Sequence, residues 1–221
     1  MTVSADAAPI VLFGIGSSIV VEYEETCTRL GVVVFGVRNR PGPAYFHDQA
    51  TIVDAGSIPP AVLRLPCVCP IFTPRNRFRA HEEARAAGFR FAEALIDPTA
   101  IVASSSRFGA GSFINAGCVV GAEVLCAEHV VVNRGVTIGH HVEVGAFASL
   151  GPSAVVGGWV KIASGAMIGA GAVLLPKVHV GAHAIVGAGS VVVADVPPHA
   201  KVLGNPARVT ETSAVGFEGS G

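Results

Sequence analysis

From Val102 to Pro197 the chain carries an apolar residue at every sixth position. The register runs Val102, Phe108, Ile114, Val120, Cys126, Val132, Ile138, Val144, Leu150, Val156, Ile162, Ile168, Leu174, Val180, Val186 and Val192, sixteen hexads without a break. The next residue is often glycine, and the fifth position is always small or β-branched, from Ser106, Ser112 and Cys118 to Ser190 and Val196. A period of six fits neither the 3.6-residue helix nor the two-residue alternation of a plain strand. It predicts short strands joined by tight turns, three to a coil of about 18 residues, with first and fifth positions inside. At about 4.8 Å between stacked strands, the repeat predicts a prism of about five coils, roughly 25 Å long.

Before the repeat the pattern changes. "PIVLFGIGSS" reads as an apolar strand and a glycine turn, "IVVEYEETCTRLG" as a helix, and "VVVFGV" as a second strand. "AVLRLPCVCPIF" predicts another strand and turn, and "RNRFRAHEEARAAGF" a helix with Arg, Glu and Ala on its polar face. The expected organisation is a short Rossmann-like α/β domain over 1–98, a left-handed parallel β-helix of hexapeptide repeats over 99–198, and a C-terminal segment over 199–221. The turn "FGIGSS" lacks the third glycine of a dinucleotide fingerprint, and "GVRNR" stands where the second strand would end in an acidic residue. A full NAD site is not expected. A phosphate contact through the turn and the helix N-terminus, with Gly14, Gly16 and Ser17 as its candidates, stands beside the alternative of a plain tight turn in a small α/β cap.

Composition narrows the function. Of the 221 residues 51% are hydrophobic and 14% charged, with a formal net charge of -1, which excludes disorder and binding to nucleic acid by phosphate neutralisation. No apolar run reaches about 18 residues, so no membrane span is expected. "MTVSADAAPIVLFG" has no basic region before its apolar run and does not read as a signal peptide. Cysteines 27, 67, 69, 118 and 126 match no zinc or redox spacing, and reduced thiols in the cytoplasm are expected. The 27 glycines beside only 6% aromatics fit a repeat rather than a core of bulky side chains.

The register also arranges the polar residues. Positions 18 apart stack, so His140 lies between Ala122 and Gly158, His141 between Glu123 and Trp159, and Asn133 between Asn115 and Gly151. Third and fourth positions face outward, so His140 and His141 are either a reactive site or a solvated pair. A neutral imidazole takes a proton from an attacking amine or hydroxyl, and needs a partner to fix its tautomer. Glu123, one coil away, is the candidate partner. A three-histidine metal site built from His129, His140 and His141 is disfavoured, because His129 falls on another face; no metal is expected.

The chain resembles the hexapeptide-repeat acyltransferases, and among them the sialic acid O-acetyltransferase / nucleotide-amino-sugar N-acetyltransferase family. "VLFGIGSS", "ALIDPTAIVASSSRFGAGSFINAGCVVGAEV", "VNRGVTIGHHVEVGAFASLGPSAVVGG" and "VGAHAIVGAGSVVVADVPPHAKVLGNPAR" carry the likeness over nearly the whole chain. The resemblance implies a cytoplasmic homotrimer with acetyl-CoA as co-substrate and a nucleotide-linked amino sugar as acceptor. It implies direct transfer to an amine or hydroxyl with His140 as general base. His141 stands where the family carries an acidic residue that orients the base. Ser149 stands where it carries a second histidine at the acetyl carbonyl. Gly158 matches a backbone contact to the acetyl or pantetheine region, Asn133 an asparagine near the site, and Gly14 and Gly16 the turn that approaches the nucleotide. Ser18 and Asn39 replace a histidine and an acidic residue on the nucleotide side. Two readings stand beside this one: an acyltransferase with a non-sugar acceptor or another acyl group, and a binding or scaffold protein with a reduced site.

Overall fold

The computed structural model describes residues 8–213; residues 1–7 of the opening stretch and 214–221 of the expected C-terminal segment lie outside the described residues. The first apolar run forms the buried strand β1 (Ile10–Phe13). Helix α1 (Val20–Leu30) follows the glycine turn and ends at Gly31, whose left-handed φ of 68° lets its amide bond back to the Cys27 and Thr28 carbonyls. Strand β2 (Val34–Arg38) pairs in parallel with β1. A further strand, β3 (Ile52–Asp54), joins outside β2. Its three residues between 3-10 turns are too few to show a period in the sequence.

The run "AVLRLPCVCPIF" divides otherwise than its apolar content predicts. Ala61 to Leu63 belong to a helical turn, α2 (Pro60–Leu63), which Pro60 starts, and only β4 (Pro66–Val68) is strand. Helix α3 (Pro74–Ala87) is the expected Arg-rich helix, and β5 (Arg90–Phe91) closes the sheet. The strand order is β3-β2-β1-β4-β5, with every pair parallel. The order reverses between β1 and β4, so the crevice at their C-terminal ends, beside the Gly14 turn, is the topological switch point where such sheets bind ligands.

The repeat builds three parallel sheets of two-residue strands, the hexapeptide β-helix the period predicts. The first face begins at Leu95–Ile96 and Phe113–Ile114, the second at Ile101–Val102 and Val119–Val120, and the third at Arg107–Phe108 and Leu125–Cys126. Strands stack 18 residues apart: Val120 pairs with Ile138, Cys126 with Val144, and Val132 with Leu150. First and fifth positions form one buried column from Ile114 to Val202. The frequent glycine after the first position is required by coil spacing rather than by φ. A Cβ on Gly145 would sit 2.5 Å from the Ser164 amide nitrogen of the next coil. Fourth positions turn each corner in the left-handed region, among them Glu123, His129, His141, Phe147 and Trp159, with φ from 54 to 64°. Each such residue costs about 1–2 kcal/mol.

The last coil is shorter than its predecessors. Val196, a fifth position by period, bridges Val180 and so takes a first-position seat. Ile185 then pairs with Lys201, 16 rather than 18 residues on, because the corner between Val192 and Val196 is already two residues short. The segment after the repeat forms a hairpin, Lys201–Gly204 with Ala207–Glu211, that extends the first face.

The N-terminal layer packs on the first face. Tyr23 of α1 stacks on Phe113 at 3.8 Å, within an apolar cluster that includes Leu95 and Val131. Arg29 and Thr26 of α1 bind Asp97 of the first coil at 2.6 and 2.7 Å. Burial alone would raise the Asp97 carboxyl; hydrogen bonds from Thr99, Thr26 and Arg29 outweigh it and hold it at about 2.

Candidate active site

His140 and His141 turn the corner between the second and third faces, and both are exposed. The residue after Ile138 must be small for the coils to stack, so the chain swings outward there and the next two side chains point away from the core. The corner is itself a column: Glu123, His141, Trp159 and Lys177 all sit at positive φ, one above the other at coil spacing. The His141 ring stacks on the Trp159 indole at 4.1 Å with 14° between planes. The His140 ring stands edge-on to His141, and their Nδ1 atoms are 3.1 Å apart. One of the two must carry the shared proton.

On the following coil His140 faces bare backbone. A Cβ on Gly158 would lie 2.9 Å from both Cε1 and Nε2 of the His140 ring. Glycine therefore makes room for the imidazole, and the Nε2 edge of His140 lies along an open strip of main chain. The Trp159 amide donates to the His140 carbonyl at 2.9 Å, fixing this register. The Glu123 carboxylate bonds to neither imidazole among the described residues; the Glu123 amide donates to Ser105 Oγ at 3.0 Å.

Ser149 lies elsewhere, on the first face beneath the N-terminal layer, and is fully buried. Its hydroxyl donates to the Phe72 carbonyl at 2.6 Å and accepts from Arg77 Nη2 at 2.9 Å. Arg77 of α3 is itself fully buried and donates to the carbonyls of Ile71, Phe72, His129, Phe147 and Ala148. Burial pushes its guanidinium down to about 10. Nothing in an arginine-rich helix sets Arg77 apart from its neighbours, so the sequence carries no signal for this clamp. Trp159 is different: its position 18 residues after His141 marks it as a neighbour, but no role.

Asn133 occupies the corner between the first and second faces, where its Oδ1 accepts from Asn115 Nδ2 at 3.1 Å. Asn115 also reaches Glu22 of α1 at 3.4 Å, and Glu22 pairs with Arg134. At the sheet's switch point Gly14 is buried with φ 89°, while Gly16 is exposed and Ser17 half-buried. No side chain caps α1 at Ile19. Asn39 and Arg40, which follow β2, both bind Glu83 of α3, at 2.7 and 2.5 Å. A carboxylate thus stands beside the Gly14 turn although β2 supplies none.

His129 lies at the corner between the third and first faces, buried and 2.9 Å from His81 Nδ1. Among the described residues no group of three His, Cys, Asp or Glu side chains is placed to hold a metal ion. All five cysteines are buried and unpaired, and burial raises Cys118 to about 11 and Cys126 to about 12, so neither is a thiolate nucleophile. No helix among the described residues is long and apolar enough to cross a membrane.

A family model described as "Bacterial transferase hexapeptide (six repeats)" matches residues 160–194. No curated protein sequence matches the chain. Among solved structures, the acetyltransferase domain of PglB from Neisseria gonorrhoeae, in complex with acetyl coenzyme A, is 28% identical with a TM-score of 0.80. That likeness covers 91% of this chain and 98% of the other. PerB from Caulobacter crescentus, in complex with CoA and GDP-perosamine, is 28% identical with a TM-score of 0.74, over 96% and 100% of the two chains. WeeI from Acinetobacter baumannii, at 18% identity, a TM-score of 0.74 and coverage of 92% and 100%, shares the fold. With its unbroken hexads, its three-faced coil and these likenesses, the chain is a hexapeptide-repeat acyltransferase related to the nucleotide-sugar and amino-sugar N-acetyltransferases.

Proposed function

We propose that the protein transfers the acetyl group of acetyl-CoA to the amine of a nucleotide-linked amino sugar, with His140 as general base. One observation carries the reading: an exposed imidazole whose Nε2 edge lies along open backbone at Gly158, on the corner of a hexapeptide coil. The amine nitrogen attacks the thioester carbonyl carbon as Nε2 takes its proton. The tetrahedral intermediate collapses by breaking the carbon–sulfur bond, and the proton passes to the leaving thiolate of CoA. Main chain around Gly158 lines the acetyl group's path. The nucleotide belongs at the switch point, with Gly14, Gly16 and Ser17 at its phosphates and the uncapped N-terminus of α1 behind them. Binding of CoA and GDP-perosamine by the relatives supports both halves of this reading.

The active assembly is a homotrimer in this proposal. The second face presents an outward column of Ile101, Val119, Thr137, Val155, Val173 and Val191. Ile101 is 69% exposed, Val119 43% and Val155 42%, an apolar strip that closed cyclic packing buries beside His140. Five unpaired thiols suit a cytoplasmic setting. The test is thiol release from acetyl-CoA in the presence of GDP-perosamine and other nucleotide-linked amino sugars. His140→Ala should lower kcat by about 10²–10⁴ with CoA affinity retained. An unchanged kcat in that variant overturns the assignment of the base.

A further inference from the structure

Burial, charge and stacking at the His140 corner identify what orients the base, an inference that rests on the function proposed above. A general base of this kind needs its second nitrogen held by an acceptor, and a carboxylate or carbonyl is the usual one. Here the neighbour is a second imidazole, and no carboxylate among the described residues reaches either ring. We infer that His141 accepts the Nδ1–H of His140 through its own Nδ1, and that Trp159 positions His141 for this by stacking on it.

Three features of the geometry support this. The Nδ1–Nδ1 distance of 3.1 Å is a hydrogen bond, and a neutral imidazole has a single N–H to give. With His140 as donor, its proton sits on Nδ1 and its lone pair on Nε2, the edge over Gly158. The opposite assignment would put a proton on the Nε2 of His140 and leave the only free lone pair of the pair on His141. Second, His141 follows His140 directly on the corner, with φ of 56°, and the two rings stand edge to face with centroids 5.3 Å apart. Third, an exposed imidazole has free rotation about χ2, which would break the bond. Trp159, 50% exposed, removes that freedom by stacking at 4.1 Å and 14°. Trp159 holds the same corner position one coil on, with φ of 64°. His141 and Trp159 are thus positioning residues that act through His140.

The inference separates the acceptor atom from the ring, and substitutions can do the same. Asn places Oδ1 where His carries Nδ1, and asparagine tolerates a positive φ. Phe keeps the ring on the indole but has no acceptor. With acetyl-CoA and GDP-perosamine as probes, H141F should lower kcat by about 30–100-fold with KM for acetyl-CoA within about twofold. H141N should recover most of that loss, to within about fivefold of the parent kcat, whereas H141Q, whose oxygen lies one bond further out, should not. W159A should lower kcat by about 5–10-fold, and W159F should restore it. The chain has a single tryptophan, so its emission reports the stack without turnover; H141N, which removes the quenching imidazole, should brighten it. If H141N is as slow as H141F, if H141F matches the parent, or if W159A raises KM and leaves kcat, the inference is overturned. An active H140A instead overturns the base itself, and so distinguishes the failure of the underlying function.

Discussion

Two histidine pairs of the protein lie at different corners of one coil, each joined by a nitrogen–nitrogen contact. His140 and His141 meet at 3.1 Å on the corner between the second and third faces; His81 and His129 meet at 2.9 Å where α3 covers the corner between the third and first. The first pair stands in solvent beside bare backbone. The second is enclosed by Phe78, Phe91 and Phe147, with the His129 ring stacked on Phe147 at 4.8 Å and 10°. Burial pushes His129 down to about 3, with His81 and Arg77 adding to the effect, and burial lowers His81 as well. His129 is buried and His81 half-buried, and both rings are packed among aromatic side chains. A nitrogen–nitrogen contact therefore says little about function; access to its lone pairs decides. One corner holds the N-terminal layer, and the other stands open beside the backbone at Gly158.

The sharpest way to break the comparison is to remove what locks the buried corner. Arg77 satisfies five carbonyls and the Ser149 hydroxyl with one guanidinium. Arg77→Met keeps much of the side-chain volume and removes the donor to the Ile71, His129 and Phe147 carbonyls, while the Phe72 and Ala148 carbonyls keep the Ser149 hydroxyl and the Val131 amide. It should destabilise the fold by roughly 3–5 kcal/mol, read as a lower denaturation midpoint at fixed protein concentration. A midpoint unchanged by that substitution means the corner near His129 is not a lock.

This contrast also explains what the sequence discloses. The prism is legible because a hexad repeated sixteen times leaves one physical solution, and its register places His140 over Gly158 and His141 beside Trp159. The N-terminal layer is legible only where elements are long. Helices α1 and α3 carry their own periodicity and glycine stops, whereas β3 has three residues and α2 four. Val196 shifts its seat because the corner after Val192 is two residues short, a break that the period does not announce. The buried corner is illegible because its members, Arg77, His81, Phe91, His129 and Phe147, come from two layers far apart in the chain. At the open corner, the register gives neighbours but not ring orientation, so it cannot separate Glu123 from Trp159 as the group that acts on His141.

A smaller effect tests the buried pair by its charge. The folded value of His129 lies below its unfolded value near 6.5, so the unfolded chain takes up the proton first as the pH falls. The stability tied to His129 is complete above about pH 6.5 and is lost progressively toward pH 3, at up to about 1.4 kcal/mol per pH unit for one proton. His129→Asn tolerates the positive φ of 54° and removes that proton. Its unfolding free energy should fall less steeply below pH 6.5, by about one proton's slope, with His81, Glu128 and Arg77 the unaltered titratable and charged groups beside it. An acid limb as steep as the parent's would show that His129 is protonated in the folded protein and that the two corners are alike.

The smallest effect decides where Ser149 belongs. By resemblance it stands in the place of a group that contacts the acetyl carbonyl; in the fold its hydroxyl lies between the Phe72 carbonyl and Arg77. These readings predict different losses in Ser149→Ala. A hydroxyl that only bridges the layers contributes about 1 kcal/mol to stability, and kcat then falls by less than about tenfold. A hydroxyl that donates to the developing oxyanion costs about 10²–10³ in kcat when removed, with little change in the unfolding midpoint. Its burial and its two satisfied contacts favour the first outcome. Measuring both quantities on one protein preparation separates them, because Arg77 keeps its five carbonyl partners in either case and the corner at His140 is untouched.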